Sequence, residues 1–284
     1  MKPVKEARGR LRGHWEKSVS VQCVLLCLDL FLMAGELLLL RLLSMGAEQV
    51  VHADELLQIR SLWKHAVVVL GFAAADLLLT SPFRLGQAAF FDAIAGGSPI
   101  PVRAIWCYYR RGYARSIRWR LAIWGRRLLW GALCFAPAAG ILGYGRILRA
   151  NGVETPFNDV CRLFCLIFGL FSLAAGWILL ELIMLRYMPA QYLIAQGQDV
   201  GASLSDARRL VKGKTGEIAW LYIGFSGWLA SCLLFVPFFY VSPLFLTTRA
   251  VAIRRMRKAS RQKPSTEKRV SQRQRLLGRK PFPS

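Results

Sequence analysis

Residues 206–249 read DARRLVKGKTGEIAWLYIGFSGWLASCLLFVPFFYVSPLFLTTR, and this stretch decides the fold. Its basic lead-in holds Arg208, Arg209, Lys212 and Lys214; from Ile218 to Thr248 there is then no charge, and Arg249 closes the run. An apolar run of about 30 residues exceeds the roughly 20 that the bilayer hydrocarbon requires. Cations at both ends predict that both ends face the same side, the cytoplasm. As one straight helix the run would be about 45 Å long. Pro237 and the Ser242-Pro243 pair predict instead a break, and so a helical hairpin that goes out and returns. The chain reads as a membrane protein.

Working outward, the charge pattern repeats this logic. The chain has 284 residues, 55% of them hydrophobic, yet carries a net charge of +23. So basic a balance points to nucleic acid, to an anionic membrane surface, or to orientation in a bilayer. Its distribution chooses among them. Lys and Arg number six in residues 1–17, nine in 81–127, five in 186–214 and thirteen in 249–284, which is 33 of 39. The intervening segments 44–61 and 149–159 hold Glu48, Asp54, Glu55, Glu154 and Asp159 against only Arg60 and Arg149. That is the positive-inside asymmetry, three times over, and orientation accounts for most of the charge.

The fold class that follows is all-α, a polytopic transmembrane helical bundle of six spans in three hairpins, with interfacial amphipathic helices. A basic cytoplasmic tail, 1–17, precedes a membrane domain over 18–253, with spans at 18–43, 62–80, 128–148, 160–185, 218–236 and 238–253. The first span is too long for a cleaved signal peptide and lacks a small-x-small cleavage site. Residues 254–284 are polar and strongly cationic, and are expected to be a disordered cytoplasmic tail. Each hairpin ends at a proline, Pro82, Pro189 or Pro243, a weak internal repeat. Ala132, Ala136 and Gly140 predict a close-packing stripe at i, i+4, i+8. Gly224 and Gly227 are expected to serve packing, and Ser205 to cap a helix running toward Lys212.

The block 81–127 is the least ordinary inner segment. Gly96-Gly97 and the prolines after them mark a loop, and IWCYYRRGYARSIRWRLAIWGRR at 105–127 interleaves aromatics with arginines. Aromatic rings anchor at the headgroup level while guanidinium groups reach phosphate. The candidates for anionic phospholipid contact are Arg110, Arg111, Arg115, Arg118, Arg120, Arg126 and Arg127. The plainer reading is a cytoplasmic flank of the third span. Nucleic acid is disfavoured, because RNA-binding aromatics sit on strands or exposed platforms. A protein partner or a homo-oligomer stays open.

Ionisable groups inside spans are functional candidates, and here they are Asp29, Glu36, Asp76 and Glu181. Asp29 lies about 16 Å into the first span at 1.5 Å per residue, with no basic residue of another expected span at comparable depth. Asp76 and Glu181 are expected to pair with arginines of the basic loops, and Glu36 with Arg41 or Arg60. The alternative is a polar cavity for a cation or proton, as in a small transporter or permease. The seven cysteines cannot all pair within the chain; Cys23 with Cys27, and Cys161 with Cys165, read as helix packing. No metal or other cofactor is expected, since His14, His52 and His65 make no ligand spacing. No catalytic motif is present, so the chain is read as non-enzymatic, a membrane scaffold or accessory protein.

The opening stretch resembles the C-terminal signature of a family of uncharacterised bacterial integral membrane proteins, the domain of unknown function numbered nine-seven-five. Members look like S-R-x-L-M-x-G, then a basic-aromatic pair, then a span containing S-F-I-G-W. The counterparts here are Ala207 to Gly213 and Gly224 to Trp228, with a further likeness in PFRLGQAAFFDAIAGG at 82–97. Ala207 stands for the serine, Thr215-Gly216 for the basic-aromatic pair and Ser226 for the isoleucine, the marks of a divergent member. The resemblance implies a multi-pass protein of a bacterial cell membrane, and it brings no functional residues with it.

Overall fold

The computed structural model describes residues 2–47, 55–98, 101–150, 156–231 and 237–276, and among these the regular structure is helical throughout. In chain order the helices are α1 (Lys2–Leu11), α2 (Trp15–Ala47), α3 (Glu55–Gly96), α4 (Cys107–Arg110), α5 (Tyr113–Ala150), α6 (Pro156–Met184), α7 (Ala190–Ala195), α8 (Val200–Val211), α9 (Thr215–Ser231) and α10 (Phe238–Leu276). Short 3-10 segments at Val102–Trp106 and Leu185–Tyr187 lead into α4 and α7.

Four stretches are long and apolar enough to cross a membrane: Trp15–Leu43, Trp63–Gly96, Tyr113–Leu148 and Phe157–Ala195. They contain the first, third and fourth expected spans and all but the first residue of the second, 62–80. The other two, 218–236 and 238–253, do not reach that measure among the described residues. The expected hairpin itself is present in its described part, because α9 and α10 are separate helices that pack through Tyr222, Phe225 and Phe245. Residues 232–236, where the turn would lie, fall outside the described residues. The apolar side chains of α10 face protein: Val241, Leu244, Phe245, Val251 and Ile253 are all buried. Alongside them runs α1, whose Arg8 donates to the Tyr240 hydroxyl at 3.2 Å and whose Glu6 pairs with Arg255 at 2.5 Å. A helix flanked by so charged a partner gains its burial from protein rather than from lipid.

The second expected span ends at Ser81-Pro82, but α3 continues through Pro82 for 42 residues in all. At 1.5 Å per residue that is about 63 Å, twice the hydrocarbon thickness. Pro82 removes the N–H that would meet the Leu78 carbonyl and opens the helix there. Two phenols from the following segment answer the opening: Tyr113 Oη donates to the Leu78 carbonyl at 3.3 Å, and Tyr109 Oη donates to that of Leu79. Loop residues thus complete the ladder that proline breaks, and residues 81–95 go on as a largely buried helix. Changing both Tyr109 and Tyr113 to Phe is expected to cost about 1–3 kcal/mol, since each loss strands a carbonyl. The thermal unfolding midpoint in mild detergent should fall, and an unchanged midpoint would show that the carbonyls need no phenol.

The outer pair α5–α6 packs through glycines, although not on the expected stripe. Ala132, Ala136 and Gly140 are exposed, whereas Gly131, Cys134 and Ala138 are buried. The close approaches lie at Gly176, where an added Cβ would stand 2.6 Å from the Cys134 carbonyl oxygen, and at Gly145, where it would meet Cys165 Cβ at 3.1 Å. The contact face is turned by one to two positions from the one expected, because α6 supplies its own glycines. Gly224 and Gly227 are likewise exposed, with no neighbouring atom within 4 Å of an added Cβ.

The end that holds α1, α8 and the C-terminal part of α10 is a compact core rather than a pair of tails. The expected tail 1–17 carries α1, which buries Ala7 and Leu11. The expected disordered segment 254–284 is helical through Leu276 as the continuation of α10, with Met256 buried, and 277–284 lie outside the described residues. In α8 the stripe Val200, Leu204, Ala207 and Val211 is buried while Arg208 and Arg209 face out. Its N-cap is Asp199, which accepts from the Gly201 N–H at 3.0 Å; Ser205 lies inside the helix.

Candidate functional site

Where the membrane-length helices meet this core, arginines and carboxylates from different helices form a layer. On α3, Asp76 accepts from Arg120 of α5 at 2.7 Å, and Thr80 accepts from the same guanidinium at 3.2 Å. Arg127 of α5 pairs with Glu181 of α6. These are the loop-arginine pairings expected for Asp76 and Glu181. Asp29 departs from expectation: Arg84 of α3 reaches it at 3.2 Å. Its partner exists because α3 runs on past Pro82 and carries Arg84 back beside α2. Glu36 sits half-buried two turns further along α2, and the Arg60 side chain lies outside those described.

A fourth pair carried no signal in the sequence. Asp92, buried near the end of α3, accepts from Arg254 of α10 at 2.7 and 2.9 Å and from Gln196 at 2.9 Å. The hydrogen bond to Asp92 raises the Arg254 pKa. This pair joins α3 to α10 across 162 positions of sequence.

The seven candidate arginines divide by environment. Arg120 and Arg127 are tied to carboxylates, and Arg126 lies over the Tyr187 ring at 5.3 Å. These three hold the protein together. Arg110, Arg111, Arg115 and Arg118 are exposed around the start of α5, next to the exposed rings of Trp106 and Tyr113. Tyr108 anchors this corner: its hydroxyl donates to the Ala195 carbonyl at 2.8 Å, and burial pushes its pKa up.

Within the layer, α2, α3, α5, α7 and α10 enclose a recess of about 530 Å³. Asp29, Arg84, Arg120, Arg127 and Arg249 line it, so four guanidinium groups face one carboxylate. Beneath it Gln87 Nε2 donates to Gln22 Oε1 at 3.1 Å, both side chains being buried. Arg249 lies over the rings of Phe245 and Tyr222 at 5.5 and 5.8 Å, and no carboxylate among the described residues pairs with it. Among the described residues no group of three or more His, Cys, Asp or Glu side chains is placed to hold a metal ion. Among the described residues the six cysteines are free thiols, with Cys165 seated on Gly145. Chemically the arrangement suits the binding of anions. Compared with known proteins, the chain matches no family model, no curated protein and no solved structure.

Proposed function

We propose that the chain is a non-enzymatic, multi-pass protein of a bacterial cell membrane, a scaffold or accessory component whose cytoplasmic face engages anionic phospholipid. The observation that carries this reading is the exposed set Arg110, Arg111, Arg115 and Arg118, presented beside exposed Trp106 and Tyr113 at the foot of a membrane-length helix. Rings at the headgroup level and guanidinium groups toward phosphate suit an anionic leaflet. In this reading α2, α3, α5 and α6 cross the bilayer. The hairpin of α9 and α10 lies at the inner side, its exposed Trp220, Ile223 and Trp228 toward lipid. The docking of α1 on α10 supports termini on one side, which an even number of crossings requires. The transporter alternative has less support, because Asp29, Asp76 and Glu181 are each engaged by an arginine. Membership in the family of unknown function rests on the motif residues quoted above.

The test uses the full chain in mild detergent, titrated with mixed micelles of phosphatidylglycerol or phosphatidylcholine. Each charge near an anionic surface contributes roughly 1 kcal/mol at most, and salt screens part of it. Changing Arg110, Arg111, Arg115 and Arg118 together to Gln should therefore weaken retention of phosphatidylglycerol about tenfold and flatten its salt dependence. Equal retention of the two lipids by the unaltered chain would overturn the reading.

A further inference from the structure

We infer that the recess between α2, α3, α5, α7 and α10 is a binding site for a phosphate group of net negative charge, one carried by an anionic lipid headgroup or free. The surface arginines just described take no part in it. The first ground is charge. Asp29 neutralises Arg84, while Arg120 and Arg127 have their own carboxylates in Asp76 and Glu181. Arg249 is left as the surplus cation on the wall.

The second ground is independent of charge. Among the described residues five buried N–H donors have no hydrogen-bond acceptor, and four of them belong here, Gln22 Nε2, Arg84 Nε, Trp119 Nε1 and Arg249 Nε; the fifth is Arg162 Nε, between α5 and α6. All four residues line this one recess, and they come from α2, α3, α5 and α10. Gln22 is 3% exposed and Trp119 8% exposed, so bulk water does not serve them. Buried donors in native proteins are satisfied in the great majority of cases. Each orphan costs roughly 1–3 kcal/mol; the four N–H groups are themselves closed to solvent, so an acceptor in the recess meets them once their side chains turn toward it. An acceptor-only group with several oxygens supplies one, and a phosphate has that character. Water could answer the donors singly, but it would leave the surplus charge of Arg249 unmatched. Guanidinium groups favour oxyanions of this geometry.

The remaining wall fits the source. Leu26, Ile123, Phe238 and Leu246 line the same recess, so a group entering with its phosphate toward Arg249 would lay apolar surface against them. A phosphate on an amphiphile uses both halves of the site, whereas inorganic phosphate uses only the polar half.

Calorimetric titration of the full chain in detergent separates these cases, with inorganic phosphate, short-chain phosphatidylglycerol and short-chain phosphatidylcholine as probes. Arg249→Gln removes the surplus charge and should weaken the anionic probe that binds at least tenfold. Trp119→Phe removes one donor and keeps the ring packing; it should weaken the same probe several-fold, and it carries the test if Arg249→Gln does not fold. Binding of phosphatidylglycerol but not inorganic phosphate, sensitive to these changes, assigns the site to lipid. Inorganic phosphate binding with the same sensitivity assigns it to the free anion. Anionic binding indifferent to these substitutions, phosphatidylcholine binding as tightly, or no binding of either anionic probe would overturn the proposal. The fourfold surface variant should leave this titration unchanged. If it sheds micellar lipid while Arg249→Gln is silent, the surface reading stands and the recess proposal falls.

Discussion

Replacing Arg254 with alanine should destabilise the protein by about 3–5 kcal/mol, because it leaves a buried carboxylate without its counter-charge. The Asp92 side chain is 8% exposed and keeps only the Gln196 amide once the guanidinium is gone. The opposite change is milder. Asp92→Asn strands a guanidinium that is 37% exposed and can turn to water, so the loss should be nearer 1–3 kcal/mol. Unfolding midpoints in one detergent should therefore rank the unaltered chain above Asp92→Asn, and that above Arg254→Ala. The double variant should fall well short of the sum, since the two residues form one interaction. Equal losses from the two single changes would mean that water reaches Asp92 and that burial is not the cause.

The second large effect belongs to Gly176. An alanine there would place its Cβ 2.6 Å from the Cys134 carbonyl oxygen, a backbone atom that moves only if α5 and α6 part. Overpacking of this kind costs about 1–3 kcal/mol, and Gly176→Leu should exceed that range and separate the pair. The control is Gly140→Ala on α5, where nothing lies within 4 Å of the added carbon. That change should stay within about 0.5 kcal/mol of neutral. A cost at Gly140 equal to that at Gly176 would return the contact to the stripe of Ala132, Ala136 and Gly140.

These two sites mark what the sequence could disclose. The small residues of the third expected span announced a close helix neighbour, but their spacing could not choose the face. That choice was made by Gly176 on the partner helix, which lies against the Cys134 backbone. The apolar runs located the four membrane-length helices because hydropathy is summed over many residues. The partner of Asp29 was hidden for a definite reason. A proline is a boundary by local rules, and Pro82 ceases to be one only because phenols some 30 residues later satisfy its carbonyls. Asp92 was invisible because its partner stands 162 residues away. The docking of α1 could have been read: Val4, Ala7 and Leu11 recur on one face, outweighed in the reading by six surrounding cations. Orphan donors such as Trp119 Nε1 have no sequence signature, since they are defined by what surrounds them.

The contact between α1 and α10 also sets a timetable. Glu6 and Arg255 are separated by 249 positions, so α1 docks on a helix that is made long after it. Chains fold from their N-termini as they are made, and here that order cannot close the core. Until residues 241–256 arrive, Ala7, Ala88, Ala95 and Tyr192 lack the helix that covers them. A chain interrupted before that point could insert its membrane-length helices yet would present a bare apolar floor. α10 therefore supplies the cover of this floor only after α1, α3 and α7, which it covers, have all been made.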